Sequence, residues 1–327
     1  MFEKNALEGD RKQPLFIVLN AGSGSEDCQE AHNTIARVLD MAGRWHDIDM
    51  VRRGADIPDA ARRAAARARS EGGAVVAAGG DGTINAVAQA AHDVGCPIGV
   101  VPQGTFNYFS RTHHIPLETE AATRALLTAR PIPMQVGEVN GRLFLVNASL
   151  GLYPDLLEDR EKYKSRFGRN RMVALLSALA TVLREHRQLR LRIESAGQVR
   201  DVRTSTLFVG NNRLQLQQVG LAEACAIENG RVAGVMLKPM STFALLRLLL
   251  RGAMGSLGED DRVESFEFER MTVLSRLPYG MRRFKVAADG EVGWLRSPIT
   301  FGVSTKPLYL LKASDAAAPS DPHFDAK

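Results

Sequence analysis

The residues with the clearest chemistry directly follow an apolar segment: Gly79, Gly80, Asp81, Gly82 and Thr83. The apolar run Ala74–Ala78 predicts a buried strand, and Ile84–His92 predicts a helix. Glycines at this junction let the backbone turn tightly and approach a ligand closely. A helix N-terminus presents free N–H groups and a partial positive charge. The segment therefore predicts a phosphate-binding loop.

Asp81, Thr83 and Asn85 add polar side chains to this loop. A carboxylate beside a phosphate repels it unless the carboxylate binds a cation, a substrate hydroxyl or a ribose. The alternative is a plain turn from strand to helix in which Thr83 is the N-cap residue. Three glycines and an aspartate exceed what a cap requires, so the binding interpretation is favoured.

Two further polar, glycine-containing loops follow predicted strands. Asn20–Ser25 follows the strand Pro14–Asn20, and Pro102–Asn107 follows the strand Ile98–Val101. Each loop by itself is also consistent with a linker or a simple turn. Because the carboxyl ends of parallel strands gather at one edge of a sheet, we expect these two loops and Gly79–Thr83 to form a single site.

The order of predicted elements indicates two domains. Residues 1–133 alternate apolar strands with helices, which is typical of an α/β domain with a parallel sheet covered on both faces. Residues 134–303 contain strands without long helices between most of them, which predicts a mostly antiparallel β domain. Met134–Val139 and Thr204–Val209 are two of these predicted strands. Residues 304–313 are expected to return a strand to the first domain, and residues 314–327, rich in Ala, Pro, Ser and Asp, to be disordered.

The composition is that of a globular chain of 327 residues, with 45% apolar and 24% charged residues. Its three cysteines are far apart, which favours a reducing cytoplasm over a disulfide framework. No run of about 18 uncharged apolar residues occurs, so any lipid would be met from the water side. The net charge of +5 suits an anionic partner or a solvated arginine-rich surface. Nucleic acid is disfavoured, because neither an aromatic platform nor a dense basic face is visible.

Several nucleotide-binding signatures are missing from the sequence. It has no G-x-x-x-x-G-K-[ST] loop and no G-x-G-x-x-G followed by an acidic residue about twenty positions later. The motifs of protein kinases are absent as well. P-loop NTPases are thereby excluded, and neither a classical dinucleotide-binding fold nor a protein kinase is indicated.

The three loops resemble, in the same order, the motifs of the diacylglycerol kinase catalytic family, which includes bacterial lipid kinases and sphingosine and ceramide kinases. The family pattern is Asn-Pro-x-Ser-Gly, Gly-Gly-Asp-Gly-Thr and Pro-x-Gly-Thr-x-Asn-x-Phe. It is matched by Asn20–Gly24, with Ala21 in place of proline, by Gly79–Thr83 and by Pro102–Phe109. A weaker likeness continues through Val146–Gly151, Phe208–Asn211 and Asp289–Glu291.

This resemblance implies an ATP-dependent lipid kinase that transfers the γ-phosphoryl group to a diacylglycerol-like or sphingoid hydroxyl. It implies an α/β nucleotide-binding domain similar to NAD kinase and phosphofructokinase, followed by a β-sandwich domain for the lipid. Residues expected at the ATP site are Asn20, Ser23, Gly24, Gly79, Gly80, Gly82, Thr83, Asn85, Gly104 and Thr105.

The family also implies roles for carboxylates. Asp289 or its neighbour Glu291 would be the general base, and Asp81 would lie near the catalytic Mg²⁺ or the acceptor hydroxyl. An alcohol is a poor nucleophile, so a positioned carboxylate assists by accepting its proton. Taken alone, Asp289–Glu291 favours an ordinary hairpin turn, because Asp-Gly is the strongest signal for such a turn.

A lipid substrate implies contact with a membrane, for which two segments are candidates. Pro239–Leu257 is very apolar with a narrow basic stripe, and Arg160–Arg171 is basic enough for anionic headgroups. Packing on the sandwich and a solvated loop are the respective alternatives. Two other functions stay open: a small-molecule kinase similar to NAD kinase, and a non-catalytic lipid- or nucleotide-binding protein.

Overall fold

The computed structural model describes residues 13–22, 25–152, 154, 188–218, 220–241, 244–245, 247–248, 260–275 and 283–313. The chain divides into two compact units. One consists of the residues up to Met134 together with those from Lys306 onward, and the other of Gln135–Thr305.

The first unit is built on a six-stranded sheet with the strand order β2-β1-β3-β4-β18-β5. Its strands are β1 Leu15–Asn20, β2 His46–Val51, β3 Ala74–Gly79, β4 Ile98–Pro102, β5 Ala129–Met134 and β18 Leu308–Ala313. All neighbours are parallel except β5, which runs antiparallel to β18 at the edge. The central strands are almost wholly buried, which matches their unbroken apolar sequences.

Helices cover both faces of this sheet. They are α1 Ser25–Met41, α2 Ile57–Ser70, α3 Asp81–Val94, α4 Tyr108–Thr112 and α5 Thr119–Leu127. Residues of α1 and α5 share one apolar core with β1, β3 and β4, while α2 and α3 pack together against the opposite face. The buried side of α2 is made of small side chains, among them Ala61, Ala65 and Ala68, which allows a close approach to the sheet.

The second unit contains two antiparallel sheets of six strands, with the orders β10-β9-β14-β17-β6-β7 and β13-β12-β11-β8-β15-β16. The strands are β6 Gly137–Val139, β7 Arg142–Phe144, β8 Asn147–Gly151, β9 Leu189–Ser195, β10 Gln198–Thr204, β11 Thr206–Gly210, β12 Val232–Leu237, β13 Val263–Phe268, β14 Arg270–Ser275, β15 Arg283–Ala288, β16 Glu291–Arg296 and β17 Ile299–Val303. Both sheets contribute to one apolar core that includes Phe144, Leu150 and Phe301. A short helix, α6 Arg213–Gln218, and a 3-10 helix at Ala222–Asn229 follow β11.

The predicted fold class is confirmed: a parallel α/β unit is followed by antiparallel sheets. Two predicted strands were wrong. Met134–Val139 is not one strand, because β5 ends at Met134 in the first sheet and β6 begins at Gly137 in another. Thr204–Val209 is divided at Ser205, since β10 pairs with β9 and β11 pairs with β8 and β12.

Two helices were missed by the sequence interpretation. One is α4, which is only five residues long. The other is α5, whose N-cap residue Glu118 accepts hydrogen bonds from the N–H groups of Glu120 and Ala121. Acidic residues at the start of a helix are a recognised signal, so α5 was open to prediction.

Three expectations lie outside the described residues: the basic segment 160–171, most of the apolar segment 239–257, and the tail 314–327. Within the described ranges, no helix combines the length and the hydropathy that are needed to cross a bilayer.

Candidate functional site

The end of β1 is joined to the start of α3 by a side-chain hydrogen bond. Asn20 Nδ2 donates to Thr83 Oγ1 over 3.0 Å, and Asn20 Oδ1 accepts from the N–H of Gly22 over 2.9 Å. Thr83 is buried in the first turn of α3. A Cβ at Gly79 would lie 2.7 Å from the Thr83 side chain, so only glycine leaves room for it there. The loops that follow β1 and β3, called the first and second loops from here on, therefore meet.

The second loop is in backbone contact with the loop that follows β4, which is the third loop. A Cβ at Gly104 would lie 2.9 Å from the Cα of Gly80. The Asn107 side chain brackets Gly104, since its Oδ1 accepts from Gly104 N over 3.0 Å and its Nδ2 donates to Gly104 O over 2.8 Å. The N–H of Gln103 also donates to the carbonyl of Gly79 over 2.9 Å. All three loops are thus linked at the carboxyl ends of β1, β3 and β4.

The N-terminus of α3 supplies donors to this cradle. The first N–H groups of an α-helix have no partner within the helix. Its N-cap residue is Gly80, not Thr83, and glycine has no side chain with which to cap those groups. The three linked loops and this uncapped helix end fit a phosphate group, because N–H donors and the helix dipole favour an anion.

Asp81 points its carboxylate at the start of α4. The N–H of Phe109 donates to Asp81 Oδ1 over 3.4 Å. Burial raises the pKa of this carboxyl above its usual range, while hydrogen bonds from the backbone N–H groups of Phe109, Tyr108 and Asn107 act in the opposite direction. Asp81 therefore holds the third loop to the second, in addition to any role towards a ligand.

The other predicted nucleotide-site residues are placed as follows. Gly82 is exposed at the start of α3, Asn85 is buried in the same helix, and Thr105 is exposed in the third loop. Ser23 and Gly24 lie outside the described residues.

Sequence reasoning did not assign a role to Asn107, although it stands in the quoted Pro102–Phe109 motif. Its backbone is left-handed, with φ of 49°, and it is the N-cap residue of α4. Asparagine adopts this conformation more readily than most residues. Asn107 thus shapes the third loop through both its backbone and its side chain.

In the second unit, Asp289 and Gly290 form the two-residue turn between β15 and β16. Both have positive φ, 47° and 85°, which is typical of the tight hairpin turn that Asp-Gly favours. Three backbone N–H groups converge on the Asp289 carboxylate: those of Leu145, Val146 and Asn147, at 2.7, 2.9 and 3.0 Å. Asp289 and Gly290 therefore form the hairpin turn that their sequence favours. The three N–H groups also hold the Asp289 carboxylate in one orientation.

Buried amides support the Leu145–Asn147 segment that holds Asp289. Asn211 donates from its backbone N–H to Val146 O over 2.8 Å and from Nδ2 to Leu145 O over 3.3 Å. Asn147 Nδ2 donates to Gln215 Oε1 over 3.0 Å. Asn147 and Asn211 lie in Val146–Gly151 and Phe208–Asn211, the segments in which the resemblance to the family is weaker. That weak resemblance was the only sequence signal that could have pointed to these two residues.

Glu291, the second acid of the turn, has a different environment. It pairs with Arg142 over 2.5 Å, and both side chains are substantially exposed. An exposed ion pair of this kind contributes little to stability. The described residues contain no group of three or more His, Cys, Asp or Glu side chains that could hold a metal by themselves.

Comparison with known proteins finds a family that the N-terminal part of the chain resembles. Residues 14–139 match the diacylglycerol kinase catalytic domain. The matched segment includes all three linked loops, and it confirms the resemblance drawn from their motifs. The matched residues contain the parallel strands β1–β4 and the helices between them.

Curated relatives carry kinase names. The chain is 36% identical over 148 residues to the "Probable lipid kinase YegS-like" of Pseudomonas aeruginosa, covering 43% of this chain and 45% of that protein. It is 33% identical over 156 residues to the "Diacylglycerol kinase" of Bacillus subtilis, covering 46% of this chain and 50% of that protein. The chain thus spans about half the length of the curated relatives it matches.

A solved structure is similar in fold over more of the chain than the matched residues 14–139. The crystal structure of a diacylglycerol kinase from Bacillus anthracis superposes with a TM-score of 0.64 and 16% identity, covering 94% of this chain and 98% of that one. At this identity the likeness concerns the fold alone.

Proposed function

We propose that the protein is an ATP-dependent lipid kinase, which transfers the γ-phosphoryl group of ATP to a hydroxyl group of a lipid. The observation that carries the proposal is the joining of three loops at the carboxyl ends of β1, β3 and β4, within a match to the diacylglycerol kinase catalytic domain.

The glycine loops are proposed to bind the ATP phosphates. Gly80 and Gly104 approach each other so closely that no side chain intervenes, which leaves backbone N–H groups as the donors. The uncapped start of α3 adds its dipole. Asn20 and Thr83 fix the distance between the ends of β1 and β3, so the donors are in position before the nucleotide binds. Preorganised donors are worth more than donors that must reorganise during the reaction.

Asp81 is the proposed protein ligand of a magnesium ion that arrives with ATP. Mg²⁺ commonly uses one or two carboxylates, water and substrate phosphates, so a single carboxylate beside the phosphate loop is sufficient. When bound, the ion would neutralise charge on the phosphates. Asp81 also retains its contact with Phe109 N, which links this ligand to the position of the third loop.

Asp289 is the proposed acceptor of the hydroxyl proton, with Glu291 as the alternative. Phosphoryl transfer depends mainly on positioning and on charge stabilisation. The three N–H groups of Leu145–Asn147 give the Asp289 carboxylate a fixed direction. Glu291 is more exposed and shares its charge with Arg142. We therefore assign the role to Asp289.

The lipid nature of the acceptor is supported by what the relatives are called, a lipid kinase and a diacylglycerol kinase. It is tested with γ-³²P-labelled ATP, Mg²⁺ and separate acceptors: diacylglycerol in mixed micelles, sphingosine, NAD and a bacterial lipid extract. We expect label in an organic-soluble product.

Label in NAD alone would replace the proposal with a small-molecule kinase. ATP binding without label in any acceptor would indicate a non-catalytic protein. Omitting Mg²⁺ provides the matched control, in which the organic-soluble label should disappear.

A further inference from the structure

A compact basic and aromatic surface lies on the outward face of the β15–β16 hairpin. The two strands pair with Arg283 opposite Arg296 and Lys285 opposite Trp294. Directly opposite residues point to the same face of a sheet. The alternate residues Phe284, Val286 and Ala288 face the apolar core, so the basic residues and the tryptophan face outward. We name Arg283, Lys285, Trp294 and Arg296 the hairpin surface.

The two arginines of the hairpin surface are not neutralised within the described part of the chain. Both are exposed, and neither lies within ion-pair distance of a described carboxylate. Like charges directly across a strand pair are unfavourable. The acid of this hairpin, Glu291, lies on the other face, opposite Ala288, and pairs with Arg142. The positive charges of Arg283 and Arg296 are therefore suited to bind an anionic group of another molecule.

Trp294 adds an apolar anchor beside these charges. Its side chain is 60% exposed, and Lys285 Nζ lies 5.7 Å from its ring centroid. Tryptophan and basic side chains together are typical of the interface between a bilayer and water, where the ring sits at the level of the headgroups. A surface that bound anions by charge alone would not need an exposed tryptophan ring.

A second cross-strand arginine pair shows what distinguishes the hairpin surface. Arg190 lies opposite Arg203 on β9 and β10, and both are exposed. The adjacent cross-strand pair there is Arg192 and Asp201, which bond over 3.1 Å. Acidic charge is thus interleaved at the β9–β10 pair and absent from the outward face of β15 and β16.

We propose that the hairpin surface docks the protein onto an anionic phospholipid bilayer. Arg283 and Arg296 would contact lipid phosphates together, and Trp294 would enter the headgroup layer. β16 is the outermost strand of its sheet among the described strands, so the approach of a flat membrane to its side is not blocked by a further strand. The inference goes beyond phosphoryl transfer, because docking requires neither ATP nor turnover.

The test is co-sedimentation of the full chain with vesicles, without ATP. Vesicles of phosphatidylcholine containing about one third phosphatidylglycerol are compared with phosphatidylcholine alone. We expect Arg283→Gln/Arg296→Gln to bind anionic vesicles about 30-fold more weakly, since each cation near an anionic surface contributes a factor of about five. Trp294→Ala is expected to weaken binding about tenfold through lost apolar burial.

Arg190→Gln/Arg203→Gln is the matched control, with the same charge change on the other arginine pair, and should bind like the unmodified chain. Equal losses in the two double variants would overturn the proposal, since net charge alone would then explain binding. Equal binding to neutral vesicles, or unchanged binding of both hairpin variants, would also overturn it. Activity on a short-chain, water-soluble acceptor tests the proposed kinase separately and should be unaffected by the hairpin variants.

Discussion

The side-chain amide of Asn20 donates a 3.0 Å hydrogen bond to the hydroxyl of Thr83, residues that are 63 positions apart in sequence. The bond joins the end of β1 to the first turn of α3, where the proposed phosphate loop lies. Two loops that belong to different strand–helix connections are thereby fixed at one spacing. Any loss of this bond is expected to affect nucleotide binding before it affects the fold.

Thr83→Val tests the link, because valine keeps the branched shape and removes the acceptor for Asn20. We expect the KM for ATP to rise about tenfold, which corresponds to one hydrogen bond of about 1.4 kcal/mol. Steady-state kinetics with varied ATP measure the change. Thr83→Ser retains the hydroxyl and is the control. A valine variant with an unaltered KM would show that the bond does not position the nucleotide loops.

Gly104→Ala tests the backbone contact between the second and third loops. The new Cβ would meet Gly80 Cα at 2.9 Å and Asn107 Oδ1 at 2.7 Å, so the loop must move. We expect a loss of about 1–3 kcal/mol in the free energy of unfolding, together with much weaker ATP binding. Urea unfolding and nucleotide titration measure the two effects.

Gly54→Ala is the control for that substitution, since a Cβ at Gly54 meets nothing within 4 Å. Its effect should stay within about 0.5 kcal/mol. If both alanine variants bound ATP alike, the close approach of the two loops would not be needed for the nucleotide.

Asp81→Asn should separate stability from activity. The pKa of Asp81 is raised, mainly by burial, so its protonated form is favoured in the folded chain. The stability that it contributes is present below its unfolded pKa and is lost as the pH rises through its folded pKa. At pH 7 the neutral amide relieves this penalty, and we expect an unchanged or slightly higher Tm.

Turnover by Asp81→Asn is expected to fall at least about 100-fold, because the proposed magnesium ligand is lost. Scanning calorimetry and an ATP-dependent assay on the same preparation measure both quantities. If Asp81→Asn kept full activity, Asp81 would have no part in the mechanism. If the variant failed to fold, the main role of Asp81 would be its structural contact with Phe109.

Asp289→Asn and Glu291→Gln distinguish the two acids of the hairpin turn. Asparagine tolerates the positive φ of residue 289, so the turn should persist. We expect Asp289→Asn to lower turnover about 100-fold or more, as for a lost general base. Glu291→Gln removes only an exposed pair with Arg142 and should stay within about threefold. The reverse pattern would transfer the role to Glu291.

His113 provides a pH-dependent contribution to stability. Burial, followed by repulsion from Lys312 and His114, lowers its pKa from 6.5 to about 4. The folded chain therefore keeps this imidazole neutral. The stability present above pH 6.5 is lost as the pH falls to about 4, by at most about 3 kcal/mol.

His113→Phe keeps a ring against Phe109, whose centroid lies 4.6 Å from that of His113, and removes the titration. The difference in urea midpoint between pH 7.5 and pH 5 should shrink in this variant. An unchanged difference would mean that other groups dominate acid unfolding.

The sequence was sufficient to predict the α/β unit and its loops because their signals are local. Three glycines near residue 80 and the apolar strand before them lie within ten positions. The contact of Asp81 with Phe109 depends on how α4 starts, 28 residues later, and a five-residue helix leaves little trace in a sequence. The hydrogen bonds to the Asp289 carboxylate come from residues more than 140 positions away in sequence. Their donors are backbone N–H groups, which every residue except proline has, so the sequence carries no specific signal for them.

Strand register was a further limit on prediction. The outward pairing of Arg283 with Arg296 follows from the two-residue turn at Asp289 and Gly290. A turn that is longer by one residue would place the arginines on opposite faces of the hairpin. The basic residues were visible in the sequence, and their common face was not.

The strand Leu308–Ala313 lies between β4 and β5, although the whole second unit separates it from them in sequence. During synthesis, the sheet of the first unit is therefore completed only when β18, the last strand that the structure describes, has been made. Until residues 308–313 emerge from the ribosome, β4 and β5 each present an open edge that invites pairing with other chains. Expression of residues 1–134 alone would make that exposure permanent, so soluble recovery of the first unit should depend on supplying this strand.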